Sequence, residues 1–137
     1  MAGALARFTA RAGRLPGVKP VLLWPPIARP GYWLVTACAF LWGAVLLHRL
    51  HRGPGIWYYR GLPRWAFARG GTTLGAIYLT RDTLSEPVLE HEAVHRTQWR
   101  HYGLPYILLY LAAGADALHN RFEIEAGLVA GGYLRAP

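Results

Sequence analysis

Residues 83–105 read TLSEPVLEHEAVHRTQWRHYGLP, and the organisation of the chain follows from them. Thr83 with Glu86 makes a capping box, or Ser85 caps with Pro87 in the first turn; either starts a helix. Gly103 followed by Pro105 stops it after about Tyr102. On that helix Val88, His91, His95, Gln98, Trp99 and Tyr102 share one face. Side chains at i and i+4 lie one above the other, so His91 and His95 can grip one metal ion. Glu92 follows about 100° around the axis. Its carboxylate then stands beside the metal, where it can take a proton from water without serving as a ligand. Zinc with an open position lowers the pKa of its water to about 7. The spacing therefore encodes metal-assisted hydrolysis, most often of a peptide bond. The alternative is an exposed polar helix face, with Glu90, Glu92, Arg96 and Arg100 as solvated neighbours.

Catalytic zinc sites usually have three protein ligands plus water. Downstream lies Asn120-Arg121-Phe122-Glu123-Ile124-Glu125-Ala126-Gly127. An H-E-x-x-H followed on a later helix by E-x-x-A resembles the gluzincin metallopeptidases. That resemblance implies His91, His95 and Glu123 as zinc ligands, Glu92 as general base and one zinc per chain. Residues Thr72 to Ala126 also resemble a small bacterial family of uncharacterised membrane-associated proteins. Its layout is a strand, H-E-x-x-H-x-x-Q, aromatic-Gly and N-x-F-E-x-E-A. Gln98, Tyr102, Gly103, Asn120, Phe122 and Glu125 match it. The chain departs from many gluzincins in one place, with Gly127 where they have Asp. Orienting a zinc-bound histidine from a carboxylate then falls to Asp116 or Glu125, or to no residue. His101 and His119 could reach the metal or an oxyanion, although a lone histidine near a helix end is more often a solvated cap. Tyr102, Arg121 and Tyr133 are candidate donors to a tetrahedral intermediate, with plain packing as the alternative for the tyrosines.

The 137 residues suit one domain with a modest core. A hydrophobic content of 53%, with 6 Trp and 8 Tyr, suits a membrane or its interface. The single cysteine, Cys38, excludes an intramolecular disulfide and a cysteine-based zinc site. Residues 1–81 hold 11 of the 15 Lys and Arg and no acid, whereas all 7 acids fall in residues 82–137. A basic, aromatic first half points to anionic lipid headgroups, met through residues 1–69. Nucleic acid is the competing partner, and the apolar run described next favours the membrane.

Residues 1–31 carry five prolines and read as irregular or as a short amphipathic lead-in. Tyr32 to Leu47 has no charge and, with His48, forms a candidate membrane helix over residues 32–48. A crossing takes about 20 apolar residues, so a buried core helix and an interfacial one are the alternatives. The flanking Lys and Arg lean barely toward a cytoplasmic C-terminal part. Gly53-Pro54-Gly55 reads as a linker, dividing a basic segment 1–52 from a metal-binding domain 53–137. Ile56 to Arg60 and Thr72 to Thr80 read as strands. In gluzincins a strand at the second position lies along the cleft and pairs with extended substrate; a hairpin packed under the motif helix is the alternative. Tyr106 to Leu118 and Phe122 to Tyr133 read as helices, with Glu123 in the first turn of the last.

The expected fold is mainly α with a small β element (α+β): an N-terminal apolar helix, short strands and a three-helix minimal zincin-like core. The expected function is a membrane-anchored, single-pass minimal zinc metallopeptidase acting on a peptide or protein. A partner chain or the bilayer surface could complete so small a cleft. The alternatives are a membrane protein with a structural metal site, and a basic module binding lipid or nucleic acid.

Overall fold

The computed structural model describes residues 20–21, 23–66 and 70–137; the basic lead-in over residues 1–19 and Arg69 lie outside the described residues. Helix α1 (Pro25–Val45) leads into strands β1 (His51–Gly53), β2 (Ile56–Tyr59), β3 (Gly71–Leu74) and β4 (Ile77–Thr80). Helices α2 (Glu86–Tyr102), α3 (Pro105–Ala112) and α4 (Arg121–Ala126) follow. The architecture is α+β, as expected.

Part of the proline-rich stretch read as irregular is helical instead. Pro25 and Pro26 occupy the first positions of α1, where a backbone N–H would have no partner. Pro30 stands on the exposed side. The strand expected over Thr72–Thr80 is two strands, folded back at Gly75–Ala76 with Leu74 opposite Ile77. Gly75 has φ +63°, and a Cβ there would lie 2.2 Å from the Thr36 hydroxyl. Only glycine fits so close an approach. The Ala76 N–H donates to Thr36 Oγ1 at 2.9 Å, and that hydroxyl donates to the Tyr32 carbonyl at 2.8 Å. Gly53-Pro54-Gly55 turns between the antiparallel pair β1 and β2. The division expected between residues 52 and 53 therefore falls inside a hairpin.

The sheet order is β1-β2-β4-β3, with β2 and β4 parallel. Every residue of β4 is buried, because helices cover both faces. Ile77 and Leu79 pack with Ala39 of α1, while Tyr78 packs with Leu89 of α2. A third cluster joins Tyr32 of α1 and Trp99 of α2 to Tyr106 and Phe122. The strand β3 is left at the sheet edge beside α2, and the Trp99 indole donates to its Thr73 carbonyl at 2.8 Å.

Helix α2 keeps its expected limits, closed by Gly103 at φ +64°. Ser85 is its N-cap residue, without the side-chain hydrogen bond expected of it. Both later helices end sooner than expected, α3 at Ala112 and α4 at Ala126, where Gly127 takes φ +99°. Among the described residues no helix is long and apolar enough to cross a membrane.

Candidate metal centre

His91 and His95 leave α2 one turn apart, and both are buried. The exposed polar face considered from sequence is therefore not how this helix sits. Glu123 arrives from the first turn of α4, whose start is fixed by Asn120. That buried side chain accepts from the Phe122 N–H at 3.0 Å and donates to the carbonyls of Tyr110 and Gly114 at 3.2 and 2.9 Å. One residue thus caps α4 and ties it to the end of α3.

Three potential ligand atoms converge. His91 Nε2 and His95 Nε2 lie 3.1 Å apart, and Glu123 Oε2 lies 3.1 Å from the first and 3.4 Å from the second. A tetrahedral zinc with bonds of about 2.0–2.1 Å requires ligand separations of about 3.3 Å. The spacing fits.

The outer nitrogens make the fit chemical as well as geometric. His91 Nδ1 meets the Gly127 carbonyl at 3.0 Å, which can only accept, so Nδ1 carries the proton. His95 Nδ1 meets Gln98 Oε1 at 2.8 Å. The Gln98 amide nitrogen already donates to the Phe122 carbonyl at 3.1 Å and to Glu125 at 2.9 Å, so its oxygen faces His95 as an acceptor. The Tyr106 hydroxyl donates to the same oxygen at 2.8 Å. In neutral rings both Nε2 atoms therefore present lone pairs to each other and to a carboxylate. Three acceptors at this distance call for a cation between them. A proton is the other cation that fits. Burial alone would lower the His95 pKa, and the neighbouring Glu123 and Glu92 more than reverse this, so it is raised. For Glu123, burial works upward, but hydrogen bonds from the His91 and His95 rings, once a proton sits on Nε2, and from Tyr110 hold it well below the usual carboxylate range.

Glu92 lines the adjoining cleft, and its Oε2 accepts from the Thr73 hydroxyl at 2.7 Å. Burial raises its pKa, with His95, Thr73 and His91 pulling the other way and Glu123 adding to the rise. The cleft has a volume of about 520 Å³, within the range of small-ligand sites. Residues 70–74, including all of edge strand β3, form one wall, and Tyr110 and Tyr133 form part of another. Burial, then the nearby Glu123 and Glu92, push the Tyr133 phenol up to about 12. Gly131 closes over His91, where a Cβ would sit 2.7 Å from the ring.

Of the residues singled out from sequence, the fold brings together His91, Glu92, His95, Glu123 and Tyr133, with Glu125 behind Gln98. It leaves Asp116 and His119 paired with each other at 2.7 Å on the surface. Arg121 is exposed and lies over the Phe122 ring. Asp116 turns outward because its carboxylate caps its own turn, accepting from the Leu118 N–H at 3.0 Å. His101 is exposed, and Tyr102 packs against the Tyr106 and Phe122 rings. Neither Asp116 nor Glu125 orients a histidine ring directly; the Gly127 carbonyl meets His91 and Gln98 meets His95. Sequence reasoning gave Tyr106 and Tyr110 no role at the site; the Tyr110 hydroxyl donates to Glu123 Oε1. Their spacing of four on an apolar helix, facing the motif, is the one signal that could have marked them. Compared with protein-family models, curated proteins and solved structures, the chain has no significant match.

Proposed function

We propose that this chain is a zinc-dependent peptide hydrolase, with zinc held by His91, His95 and Glu123. The observation that carries the reading is the triangle of ligand atoms, 3.1, 3.1 and 3.4 Å on its sides, with lone pairs directed inward. Two imidazoles and a carboxylate with an open position suit zinc. A zinc ion bound there supplies Lewis acidity to water and to the scissile carbonyl.

The remaining work falls to the chain's own residues. Glu92 accepts the proton of the attacking water, and burial tunes it toward that task by raising its pKa. The Thr73 hydroxyl fixes the orientation of that carboxylate. Returning the proton to the departing amine completes the exchange. Tyr133 stays neutral across the physiological range and can donate to the oxyanion as it forms. Strand β3 lies at the sheet edge, and the outward groups left beside the Thr73 carbonyl, which Trp99 occupies, can pair with an extended peptide and align it along the cleft.

The test is cleavage of a fluorogenic peptide library by zinc-loaded protein and its Glu92→Gln variant. The variant should keep its zinc and lose activity by a factor on the order of 10³. Wild-type cleavage by the variant rules out Glu92 as the base. Stoichiometric zinc with no peptide cut by either protein assigns the metal a structural role instead, clamping α2 to α4.

A further inference from the structure

Helix α1 is built inside out. Its inner stripe consists of small or hydrogen-bonded residues: Ala28, Gly31, Tyr32, Thr36, Ala39 and Gly43 are all buried. From Gly31 to Val45, every exposed residue is apolar, and these include Trp33, Leu34, Phe40, Leu41 and Trp42. Leu34 and Leu41 are more than half exposed. A helix on a water-facing surface carries the reverse pattern, whereas small residues inward and large apolar ones outward are the habit of helices that meet lipid. The apolar surface also continues past α1. Leu104 lies against Gly31, and Leu104, just before α3, forms an exposed stripe with Ile107 and Leu111 of α3, the last two of which line the metal-site cleft.

The charges select the occupant. Arg29 is exposed near one end of α1, and Arg49, Arg52, Arg60 and Arg64 are exposed beyond the other. No Asp or Glu occurs before residue 82 to neutralise them. A second copy of the chain docked on this face would bring two basic collars together. An acidic leaflet complements them. Exposed Trp24, Trp33, Trp42 and Trp65 are the residue type that settles at headgroup depth.

We propose that the α1 face and the α3 stripe seat the protein on an acidic bilayer, with α1 lying in the plane of the interface. Crossing is excluded by what covers its inner stripe. Ala28 touches Gly103 at the end of α2, and Gly43 touches Tyr59 of the sheet, so the domain body runs along the whole helix. A crossing α1 would drag the sheet and the α2–α3 corner into hydrocarbon, where open strand edges have no partners. On the hydrolase reading, the seat also selects the substrate class, a polypeptide anchored in the same leaflet, because Ile107 and Leu111 belong to both the cleft lining and the seat.

Flotation of the full chain with phosphatidylcholine vesicles, with and without phosphatidylglycerol, tests the seat. Wild type should float with the acidic vesicles, bind the neutral ones more weakly, and bind less as salt rises. Leu34→Glu/Leu41→Glu should weaken binding roughly tenfold or more with unchanged circular dichroism and zinc content. Bromines near the headgroups should quench tryptophan fluorescence more than bromines near the bilayer centre. No wild-type binding, equal binding by the variant, or strongest quenching at the centre each overturns the seat. So does a discrete dimer in lipid-free buffer that ignores vesicles and is broken by the same substitutions. Glu92→Gln protein should float like wild type, which separates this result from the fate of the hydrolase reading. A fluorogenic peptide with an acyl chain should be cut faster on vesicles than its free counterpart, by wild type and not by the double variant. Equal rates overturn the substrate class while leaving the seat in place.

Discussion

Replacing Gln98 with Met probes the wiring behind the metal centre while preserving shape, so little cavity cost arises. Gln98 is buried and makes four hydrogen bonds, to His95, Tyr106, Phe122 and Glu125. Their loss is unequal. Tyr106 Oη already lies 3.2 Å from His95 Nδ1 and can accept its proton. Glu125 is exposed and returns to water. The Phe122 carbonyl loses one partner and keeps its helical one from Ala126, so the cost to the metal-free fold is about 0.5–1.5 kcal/mol. Losing the acceptor that orients the His95 ring should weaken zinc about 10–100-fold, or about 1.4–2.7 kcal/mol. Urea unfolding with and without zinc, together with competition against a chromophoric chelator, reads both quantities. The variant should lose more stability in zinc than without it, by the affinity difference. Equal losses in both conditions with unchanged zinc affinity would refute the reasoning and reduce Gln98 to a packing residue.

Thr73→Val removes the hydroxyl that holds Glu92, so zinc content should stay at one per chain while peptide turnover falls by about tenfold; unchanged turnover would discard this positioning role. Asn120→Ala deletes the α4 cap and two bonds to the end of α3. Unfolding should show a loss of about 2–4 kcal/mol, and zinc affinity should fall as Glu123 loses its anchor; a variant weakened in fold but not in zinc would detach the cap from the site. Stability should also fall at alkaline pH. Burial pushes the Tyr78 phenol from 10.0 to about 12, so the unfolded chain ionises first. The contribution is intact below pH 10 and is lost as pH rises toward 12. Tyr78→Phe should flatten this part of the urea-midpoint profile, and an identical slope would assign the effect to other tyrosines.

The parts of the fold that could be read from sequence are those fixed by local rules. The α2 limits follow from Pro87 in the first turn and Gly103 past the last, and the His91–His95 pair from helical period. Glu123 became legible only through resemblance, since nothing local ties α4 to α2. The Gln98–Tyr106–Tyr110 shell was hidden because its members meet across two helices, in a chain where tyrosine is common. Prolines misled at Pro25 and Pro26, whose missing N–H groups cost nothing in the first turn of a helix. Thr72–Thr80 read as one strand, yet the left-handed φ of Gly75 makes the turn that splits it into a hairpin. Asp116 and His119 matched a plausible chemistry but lie in a self-capped turn that faces water.

Zinc titration followed by X-ray absorption at the zinc edge tests the central claim most directly. Wild-type protein should take up one ion with two imidazole nitrogens and a carboxylate oxygen at about 2.0–2.1 Å. Glu123→Ala should lose the oxygen contribution and weaken the ion, and His95→Ala should lose a nitrogen. An ion whose spectrum and affinity are untouched by either substitution, or no stoichiometric ion at all, would contradict the account.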